Sequence, residues 1–427
     1  MASSTTDESE PDAPLTPSTD EEQRPRRRRW SHRTPRRRWP RVVLVVVLVL
    51  LLVPAVSFTR AITASNSLTV GERAAEWMRD NHLGPVLNKV ENWWYSGHAP
   101  KEGGAPDRAI STDEPAADTT TSSTAAPVHH LPAPAPVAVP DGVLPVPGEG
   151  QWQGVGPVLD GAPALYTTQV RPDSVHTSLL SGLAWMDPQR LRFELHPGTT
   201  EPGGKWNVPS QVPTAERPDL VAAFNSAFRM QDSRGGFYLD GQTKGQLRDG
   251  AASLVIYKDG SATVGQWGRD VSLTPDVAAV RQNLDLIIDN GGGPPNLAGR
   301  PPAPAAPGTP APGLDDNSNG AWGDTLGNKV LVWRSAVCVT ANGALVYGYG
   351  DGLGALSLAQ LMLRAGCVRA MELDINKSWT TFNSYAGTLA DPAAVSGTKL
   401  LPEQQKGADR YLSNDARDFV AVLVKRS

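Results

Sequence analysis

Histidine, on which many catalytic centres depend, is scarce in this sequence. It has seven histidines in 427 residues, and none of them lies beyond His196. The sequence also lacks the Gly-x-Ser-x-Gly, His-Glu-x-x-His and Cys-x-x-Cys patterns. These absences argue against a hydrolase with a Ser–His–Asp triad and against a zinc enzyme.

Cysteine occurs only twice, as Cys338 and Cys367, and both residues fall in predicted strands. A disulfide between them is plausible if the domain lies outside the cytoplasm, where such bonds persist. Two buried free cysteines, which behave as small hydrophobic residues, are the alternative.

Excess positive charge is confined to the beginning of the chain. The formal net charge is −4, yet residues 1–41 hold ten arginines against seven acidic residues, so the remainder carries −7. Proteins that bind nucleic acid need a basic groove, and we therefore predict no nucleic-acid partner. Residues 1–41 are polar and charged and are predicted to form a disordered, basic cytoplasmic tail.

One long apolar run follows this tail. Residues 42–58 are uncharged and almost wholly valine and leucine, and a helix of that length measures about 26 Å, the short end of a membrane span. Arginines directly before such a run predict a cytoplasmic N-terminus and an extracytoplasmic main domain. We predict a single-pass signal anchor at 42–59 in the cell membrane, with a cleaved signal peptide as the competing interpretation.

Two segments separate the predicted span from the main domain. Residues 66–96 form a predicted membrane-proximal helical segment that opens with the capping box Thr69-Val70-Gly71-Glu72. Its tryptophans, Trp77, Trp93 and Trp94, fit either the lipid headgroups or an apolar face that docks on the main domain or on a second copy. Residues 99–150 are rich in Pro, Ser, Thr and Ala and form a predicted extended linker.

Residues 151–427 have the pattern of a β-rich domain. Short strands are predicted at 164–170, 191–195, 220–224, 253–257, 262–266 and 284–288, with a short helix at 275–282. Residues 291–313 are rich in Gly, Pro and Ala and are predicted to be an exposed loop. The predicted fold class is α+β, a mixed β-sheet extracellular domain with few short helices.

Residues 329–385 carry the strongest local signals. Asn342-Gly343 between two apolar runs predicts a hairpin with a type I′ turn. Ser357 opens a predicted capping box, and Gly366 stands where a helix-ending glycine belongs. Residues 367–374 form a predicted strand that places Glu372 and Asp374 on one face, where acidic groups are expensive unless they are paired or functional.

A second acidic and amide-rich pattern suggests a metal. Asp315, Asn317 and Asn319, followed by Gly320, match the first half of a calcium loop, but the twelfth position is Leu326 instead of glutamate. Ca²⁺ is therefore a possible cofactor, and an Asx-rich turn is the alternative reading of the same residues.

Several short motifs occur in the order found in the phosphodiester glycosidases, and the stretch 220–385 resembles that family. The motifs are Asn225-Ser-Ala-Phe with Gly235-Gly-Phe-Tyr, Trp333-Arg-Ser-Ala-Val, Asp351-Gly, Leu356-Ser-Leu-Ala and Glu372-Leu-Asp-Ile-Asn-Lys-Ser. Where the family usually has glycines, this chain has Ser226 and Ala227 in the first motif and Ile375, Asn376 and Lys377 in the last.

The resemblance implies hydrolysis of a sugar–phosphate diester at the anomeric carbon, with Arg334 binding the phosphate and Asp374 at the acidic position. Arginine suits phosphate because its planar fork makes bidentate bonds, and carboxylates serve departure of a sugar. The candidate residues are catalytic Asp374, Glu372 and Arg334, and substrate-binding Asn225, Asn376, Lys377, Asp351 and Ser378. Paired or turn-forming roles remain open for Arg334, the two carboxylates and Asn225.

Three functions are consistent with this pattern. The first is a membrane-anchored hydrolase of a glycosyl-1-phosphate in a bacterial cell-envelope glycan, and the second is an inactive glycan-binding protein on the same fold. The third is an envelope spacer or assembly protein, in which the helical segment would cover the face with Arg334 and Asp374. An open pocket shared by Arg334, Glu372, Asp374 and Asn376 favours the enzyme. A buried Glu372 paired with Arg369 or Arg334 favours a binding or structural role.

Overall fold

A computed structural model describes nine stretches of the chain. They are residues 39–63, 69–84, 86–87, 89–90, 100–110, 130–289, 309–310, 331–388 and 391–426. The predicted tail before residue 39, the predicted calcium residues Asp315, Asn317 and Asn319, most of the Gly/Pro/Ala-rich loop, and Trp93 and Trp94 lie outside them. The chain divides into two compact units, 1–57 and 58–427.

The predicted span is a helix. α1 comprises Trp39–Thr63 and contains Pro54, and within it Val42–Thr63 is long and apolar enough to cross a membrane, with a mean hydropathy of 3.0. No other helix in the described part of the chain meets that criterion. The helix extends beyond the predicted 42–59 at both ends, since the flanking residues continue the same backbone hydrogen bonding.

A short amphipathic helix, α2, comprises Val70–Asp80 and belongs to the second unit. The predicted capping box is confirmed: Thr69 Oγ1 accepts a hydrogen bond from the Glu72 amide at 3.3 Å, and Glu72 Oε2 accepts one from the Thr69 amide at 2.7 Å. These two bonds satisfy amide groups that have no partner within the helix, which fixes where α2 begins.

The rest of the second unit is mainly strand, with helical residues at 84, 86–87 and 89–90, two further α-helices and two 3₁₀ turns among the described residues. The strands are β1 Gln153–Leu159, β2 Ala162–Val170, β3 Ser181–Met186, β4 Leu191–His196, β5 Leu220–Asn225, β6 Phe237–Leu239, β7 Gln242–Lys244, β8 Ala252–Tyr257, β9 Ala262–Gln266, β10 Val277–Asn283, β11 Leu286–Asp289, β12 Thr309–Pro310, β13 Val332–Thr340, β14 Leu345–Leu353, β15 Cys367–Glu372, β16 Phe382–Thr388, β17 Asp391–Lys399 and β18 Phe419–Val424. The helices are α3 Met230–Ser233 and α4 Ala355–Arg364, and the 3₁₀ turns are Thr214–Asp219 and Arg410–Leu412.

These strands form three sheets in which neighbouring named strands are antiparallel. The largest has the order β1-β2-β3-β14-β13-β15-β11-β12, and two five-stranded sheets have the orders β7-β6-β10-β8-β9 and β17-β16-β5-β18-β4. With few helices and mostly antiparallel sheets, the predicted α+β class is confirmed.

The two faces of the large sheet pack against different partners. On β13, Ala336 and Cys338 pack with Leu358 and other residues of α4, whereas Val337 and Val339 belong to the main core between the sheets. Because side chains alternate along a strand, Arg334 lies on the α4 side of β13 and Ser335 on the core side. Near the N-terminal end of β13, the polar side chains around Arg334 and those around Ser335 therefore lie on opposite faces of the sheet.

The hairpin at Asn342-Gly343 is confirmed, but its predicted type I′ turn is wrong. Gly343 has φ +90°, while Asn342 does not adopt a positive φ. The Gly343 amide donates to the Thr340 carbonyl at 3.0 Å, and the Thr340 amide donates to Ala344 at 2.9 Å. The loop is therefore a three-residue connection in which only the glycine needs the left-handed conformation.

Helix α4 begins earlier than its predicted start at Ser357. Gly354 is the N-cap, and Ser357 occupies the third helical position, where its Oγ accepts the Gly354 amide at 2.9 Å. The serine thus supplies the returning bond of a capping box instead of its first residue. Gly366, with φ +87°, follows the helix as predicted.

Two further findings concern the middle of the chain. The predicted helix at 275–282 is wrong, because Val277–Asn283 forms strand β10 between β6 and β8. Cys338 and Cys367 form a disulfide with their Cα atoms 5.7 Å apart, which decides between the two sequence interpretations. The disulfide joins the adjacent strands β13 and β15.

Candidate functional site

Arg334 and Glu372 form a buried ion pair across two neighbouring strands. The β13–β15 register sets Ala336 opposite Glu372, and an Arg334 Nη atom contacts Glu372 Oε1. Arg334 Nε donates to the Leu353 carbonyl at 2.9 Å. Both side chains are buried, at 2% and 1% exposure. The guanidinium that was predicted to bind phosphate therefore already donates hydrogen bonds to Glu372 and to the Leu353 carbonyl.

The second oxygen of Glu372 is less well satisfied than the first. Glu372 Oε2 accepts no hydrogen bond from the described residues. Burial raises the pKa of Glu372, and the charge and hydrogen bond of Arg334 oppose that rise. Arg334 therefore holds the Glu372 carboxylate in place through Oε1, while Oε2 lacks a hydrogen-bond donor among the described residues.

Asp374 lies two residues past the end of β15 and contacts a different arginine. Its backbone continues the ladder, because the Ser335 amide donates to the Asp374 carbonyl at 2.9 Å. Its Oδ2 accepts a hydrogen bond from Arg417 at 3.3 Å, and its Oδ1 accepts one from the Asn376 amide at 3.1 Å. Burial raises the pKa of Asp374 to about 6 despite the opposing charge of Arg417.

A pKa near 6 is high for an aspartate, whose ordinary value is 3.8. Such a group exchanges its proton near neutral pH, which suits a general acid or base. Strongly perturbed carboxyl groups also occur in structural networks, so the pKa gains weight only with the surrounding geometry.

Asn225 connects three strands at the core side of this region. Its Nδ2 donates to Ser335 Oγ at 3.0 Å and to the Ser226 carbonyl at 2.9 Å, while its Oδ1 accepts from Tyr347 at 2.6 Å and from the Thr381 amide at 3.0 Å. Two donors and two acceptor positions are all that an amide side chain has. In this conformation Asn225 holds the loop ends together.

The loop after Asp374 is shaped by two successive turns in which a side-chain oxygen accepts a hydrogen bond from the backbone amide two residues later. Asn376 Oδ1 accepts the Ser378 amide at 2.8 Å, and Ser378 Oγ lies 3.3 Å from Gln405 Oε1. Lys377 is exposed at the tip of the loop. Asn376 and Ser378 therefore shape the loop, while Lys377 projects a charge beside it.

Asp351 lies at the end of β14 and caps its own loop, accepting the Gly352 amide at 2.8 Å. Burial raises the pKa of Asp351, and the charge of Lys377 opposes that rise. The two predicted substrate-binding residues Asp351 and Lys377 are thus close enough to interact electrostatically, although they come from different loops.

Sequence reasoning did not identify the cations that surround this region. Lys406, Arg410 and Arg417 lie over the ring of Trp379, at 5.5, 5.4 and 4.9 Å from its centroid. Arg410 is paired with Asp415, with Nε 2.6 Å from Oδ2. These residues belong to no sequence motif. The spacing of three basic residues within twelve positions is the one sequence feature that could have pointed to a cationic site here.

Helix α2 lies against these cations. Lys406 Nζ donates to Glu72 Oε2 at 2.7 Å, and Glu76 lies 3.2 Å from Arg229 and 4.0 Å from Arg417. The region around Asp374 and Trp379 is therefore covered by a helix. The third sequence hypothesis required the segment that contains Trp77 to cover Arg334 as well as Asp374, and it stays a prediction.

The described residues contain no cluster of three or more His, Cys, Asp or Glu side chains arranged to hold a metal ion. Because Asp315, Asn317 and Asn319 lie outside those residues, the calcium site stays a prediction.

No protein-family model and no curated protein matches the sequence. The solved structures that are similar to it at low identity include the following three. The catalytic domain of zebrafish N-acetylglucosamine-1-phosphodiester alpha-N-acetylglucosaminidase, auto-inhibited by its pro-peptide, is 12% identical with a TM-score of 0.36, over 65% of this chain and 88% of that one.

The names of the other two proteins state no activity. A hypothetical protein from Synechocystis is 11% identical with a TM-score of 0.32, over 64% of each chain. A putative exported protein from Burkholderia pseudomallei K96243 is 14% identical with a TM-score of 0.27, over 57% of this chain and 74% of that one. These are weak resemblances at the level of the fold.

Proposed function

We propose that this chain is a membrane-anchored, extracytoplasmic hydrolase that cleaves a sugar–phosphate diester of a cell-envelope glycan, with Asp374 as its general acid. The observation that carries the proposal is a buried carboxyl group whose pKa is raised to about 6 and which is hydrogen-bonded by Arg417 beside Trp379. A proton donor next to fixed cations suits departure of a phosphate from a sugar.

In this reaction the bond between the anomeric carbon and the phosphate oxygen breaks. The phosphate leaves with the bonding electrons and takes a proton from Asp374, while water adds to the anomeric carbon and returns its proton to the carboxylate. Arg417 holds Asp374 and stabilises the departing phosphate. The Arg334–Glu372 pair acts as a positioning pair for the end of β15 from which Asp374 follows.

The proposed location rests on charge and on the disulfide. The arginines that precede Val42–Thr63 favour a cytoplasmic N-terminus. The bond between Cys338 and Cys367 fits an oxidising compartment on the other side of the membrane.

A specific observation favours the second candidate function, glycan binding without turnover. Arg334 and Glu372 are buried and paired with each other, and the Asn225 side chain is saturated by protein partners. A chain that had lost turnover would keep such internal bonds for stability while it held the glycan elsewhere.

The test uses the full-length chain in a nonionic detergent with a panel of chromogenic sugar-1-phosphate diesters. We expect turnover by the parent and its loss in Asp374→Asn. Asp259→Asn is a matched control, because that carboxylate is 52% exposed and interacts with Ser261 and Lys425, away from Asp374. Retention of an envelope glycan without turnover of any diester would establish the binding function instead.

A further inference from the structure

The acidic residues of α2 form a single stripe. Glu72, Glu76 and Asp80 are spaced by four residues, which places them on one face of a helix. Each of them faces a cation of the domain, and Asp80 Oδ1 lies 2.5 Å from an Nη atom of Arg229. Such complete matching of three carboxylates fixes both the register and the rotation of α2 on the domain.

The surface under this stripe is rich in positive charge. Arg229, Lys406 and Arg417 have side chains only 7–12% exposed with the helix in place. Carboxylates of the domain itself near them are Glu201, 3.7 Å from Arg229, and Asp374, 3.3 Å from Arg417. The charge of Asp232 also acts on Arg229, and that of Lys406 acts on Asp415. Buried cations need anionic partners, and α2 adds three carboxylates to those of the domain.

The same contacts put α2 over the proposed site. Glu76 and Asp374 share the guanidinium of Arg417, and the charge of Arg79 on α2 acts on Asp374. The Glu72 carboxylate also accepts a hydrogen bond from Ser378 in the loop after β15. A ligand cannot reach Trp379 and Arg417 from this side unless the helix moves.

An open groove continues the positive surface beyond the helix. It has a volume of about 430 Å³ and is lined by residues that include the exposed cations Arg234, Lys244 and Arg248. Glu201 belongs to both regions, because it lines the groove and contacts Arg229. The exposed groove and the covered surface thus form one cationic path.

We propose that this path binds a polymer that carries several phosphate groups, and that the α2 carboxylates occupy the positions its phosphates take on Arg229, Lys406 and Arg417. The polymer engages the open groove first and then displaces α2. Arginine forks favour phosphate oxygens, because they make bidentate, charge-assisted hydrogen bonds. The inference concerns binding and holds whether or not the ligand is cleaved.

The experiment measures binding and helix exchange in the full-length chain in nonionic detergent, with inorganic polyphosphate as the probe. Binding should accelerate deuterium exchange of the amides of Val70–Asp80 while leaving β13 unchanged. Inorganic phosphate at equal phosphorus concentration should bind far more weakly, since it spans neither the groove nor the cation set. Polyphosphate binding without faster α2 exchange would overturn the proposal.

Two charge-matched variants test the competition itself. Glu76→Gln removes the carboxylate shared by Arg229 and Arg417 and should strengthen polyphosphate binding about three- to tenfold, because the ligand no longer competes with a full set of ion pairs. Glu102→Gln changes the net charge equally at an exposed position and should leave affinity unchanged. Equal affinities of the two variants would refute competition.

A third variant tests the cationic path. Arg229→Gln should weaken polyphosphate binding even though it also loosens α2, because Arg229 is a ligand in the proposal. If Arg229→Gln misfolds, Lys244→Gln in the open groove replaces it, and unaltered affinity there would exclude the groove. Loss of diester hydrolysis alone would bear on the proposed function and leave these binding results intact.

Discussion

Replacing Asp374 by asparagine should change the pH dependence of stability in a direction opposite to that of an ordinary ion-paired carboxylate. The pKa of Asp374 rises from 3.8 to about 6 on folding, mainly because burial disfavours the charged form. Between these two pKa values the folded state binds more protons than the unfolded state. Stability from this group therefore falls as the pH rises through that window.

The magnitude follows from the linkage relation. A shift of about two pKa units corresponds to about 3 kcal/mol of lost stability once the pH exceeds the folded pKa, and about 2 kcal/mol of this develops between pH 4 and pH 7. Asparagine keeps the acceptor for the Asn376 amide and does not titrate. The stability of Asp374→Asn relative to the parent should therefore increase by that amount over the same interval.

The assay is urea unfolding of both full-length proteins in nonionic detergent at pH 4, 5, 6 and 7. Titrating groups far from Asp374 affect both proteins alike, so the difference between the two unfolding free energies reports Asp374 together with Glu372, whose pKa the charge of Asp374 raises. A difference that stays flat with pH would refute the raised pKa. A difference of opposite slope would show that the ion pair with Arg417 outweighs the effect of burial.

Three further predictions concern stability. Serine at Cys338 and Cys367 should cost about 3.5 kcal/mol in urea unfolding, because the disulfide closes a loop over a sequence separation of 29 residues, and an unchanged midpoint would contradict this. Glu149→Gln should cost about 3 kcal/mol at pH 7, since it leaves Arg171, 2.6 Å away and buried, without its carboxylate. Burial opposes ionisation of Glu149, but Arg171 lowers its pKa. The destabilisation caused by Glu149→Gln should therefore shrink as the pH falls through the folded pKa. A destabilisation independent of pH would argue against the Glu149–Arg171 ion pair. Asn225→Ala should lower the thermal midpoint and cost about 2–4 kcal/mol through the lost hydrogen-bond network, whereas lost ligand binding at unchanged stability would favour the substrate-binding role.

The sequence predicted the elements whose signals are local. The hairpin, the two helices α2 and α4 and the strands around Cys338 depend on caps, turn residues and buried apolar runs, and these act within a few residues. The predicted helix at 275–282 failed because the apolar positions of this short segment, Val277 to Val280, fit either period. Pairing with β6 and β8 decided in favour of a strand.

The candidate site was harder to predict because its contacts join distant parts of the chain. The sequence singled out Arg334, Glu372 and Asp374, but the β13–β15 register pairs the first two with each other. Asp374 instead meets Arg417, which lies 43 residues away along the chain. No local pattern encodes that partner, or the contact of Glu76 with the same arginine.

Arg417 links the two proposals, because it contacts both Asp374 and the α2 carboxylate Glu76. A phosphate that replaces Glu76 would draw the guanidinium toward itself and add negative charge beside Asp374. Both effects favour the protonated carboxyl group and raise its pKa above about 6.

Ligand binding would then prepare the proton that the proposed reaction uses. With saturating polyphosphate, the pH interval over which the parent and Asp374→Asn diverge in stability should move upward. The Glu76→Gln substitution without ligand should move this interval downward, because Arg417 then no longer interacts with a Glu76 carboxylate and keeps its hydrogen bonds to Asp374 and Ala227. An interval that stays in place under both changes would mean that Arg417 does not couple the helix to the acid, and that displacement of α2 serves access alone.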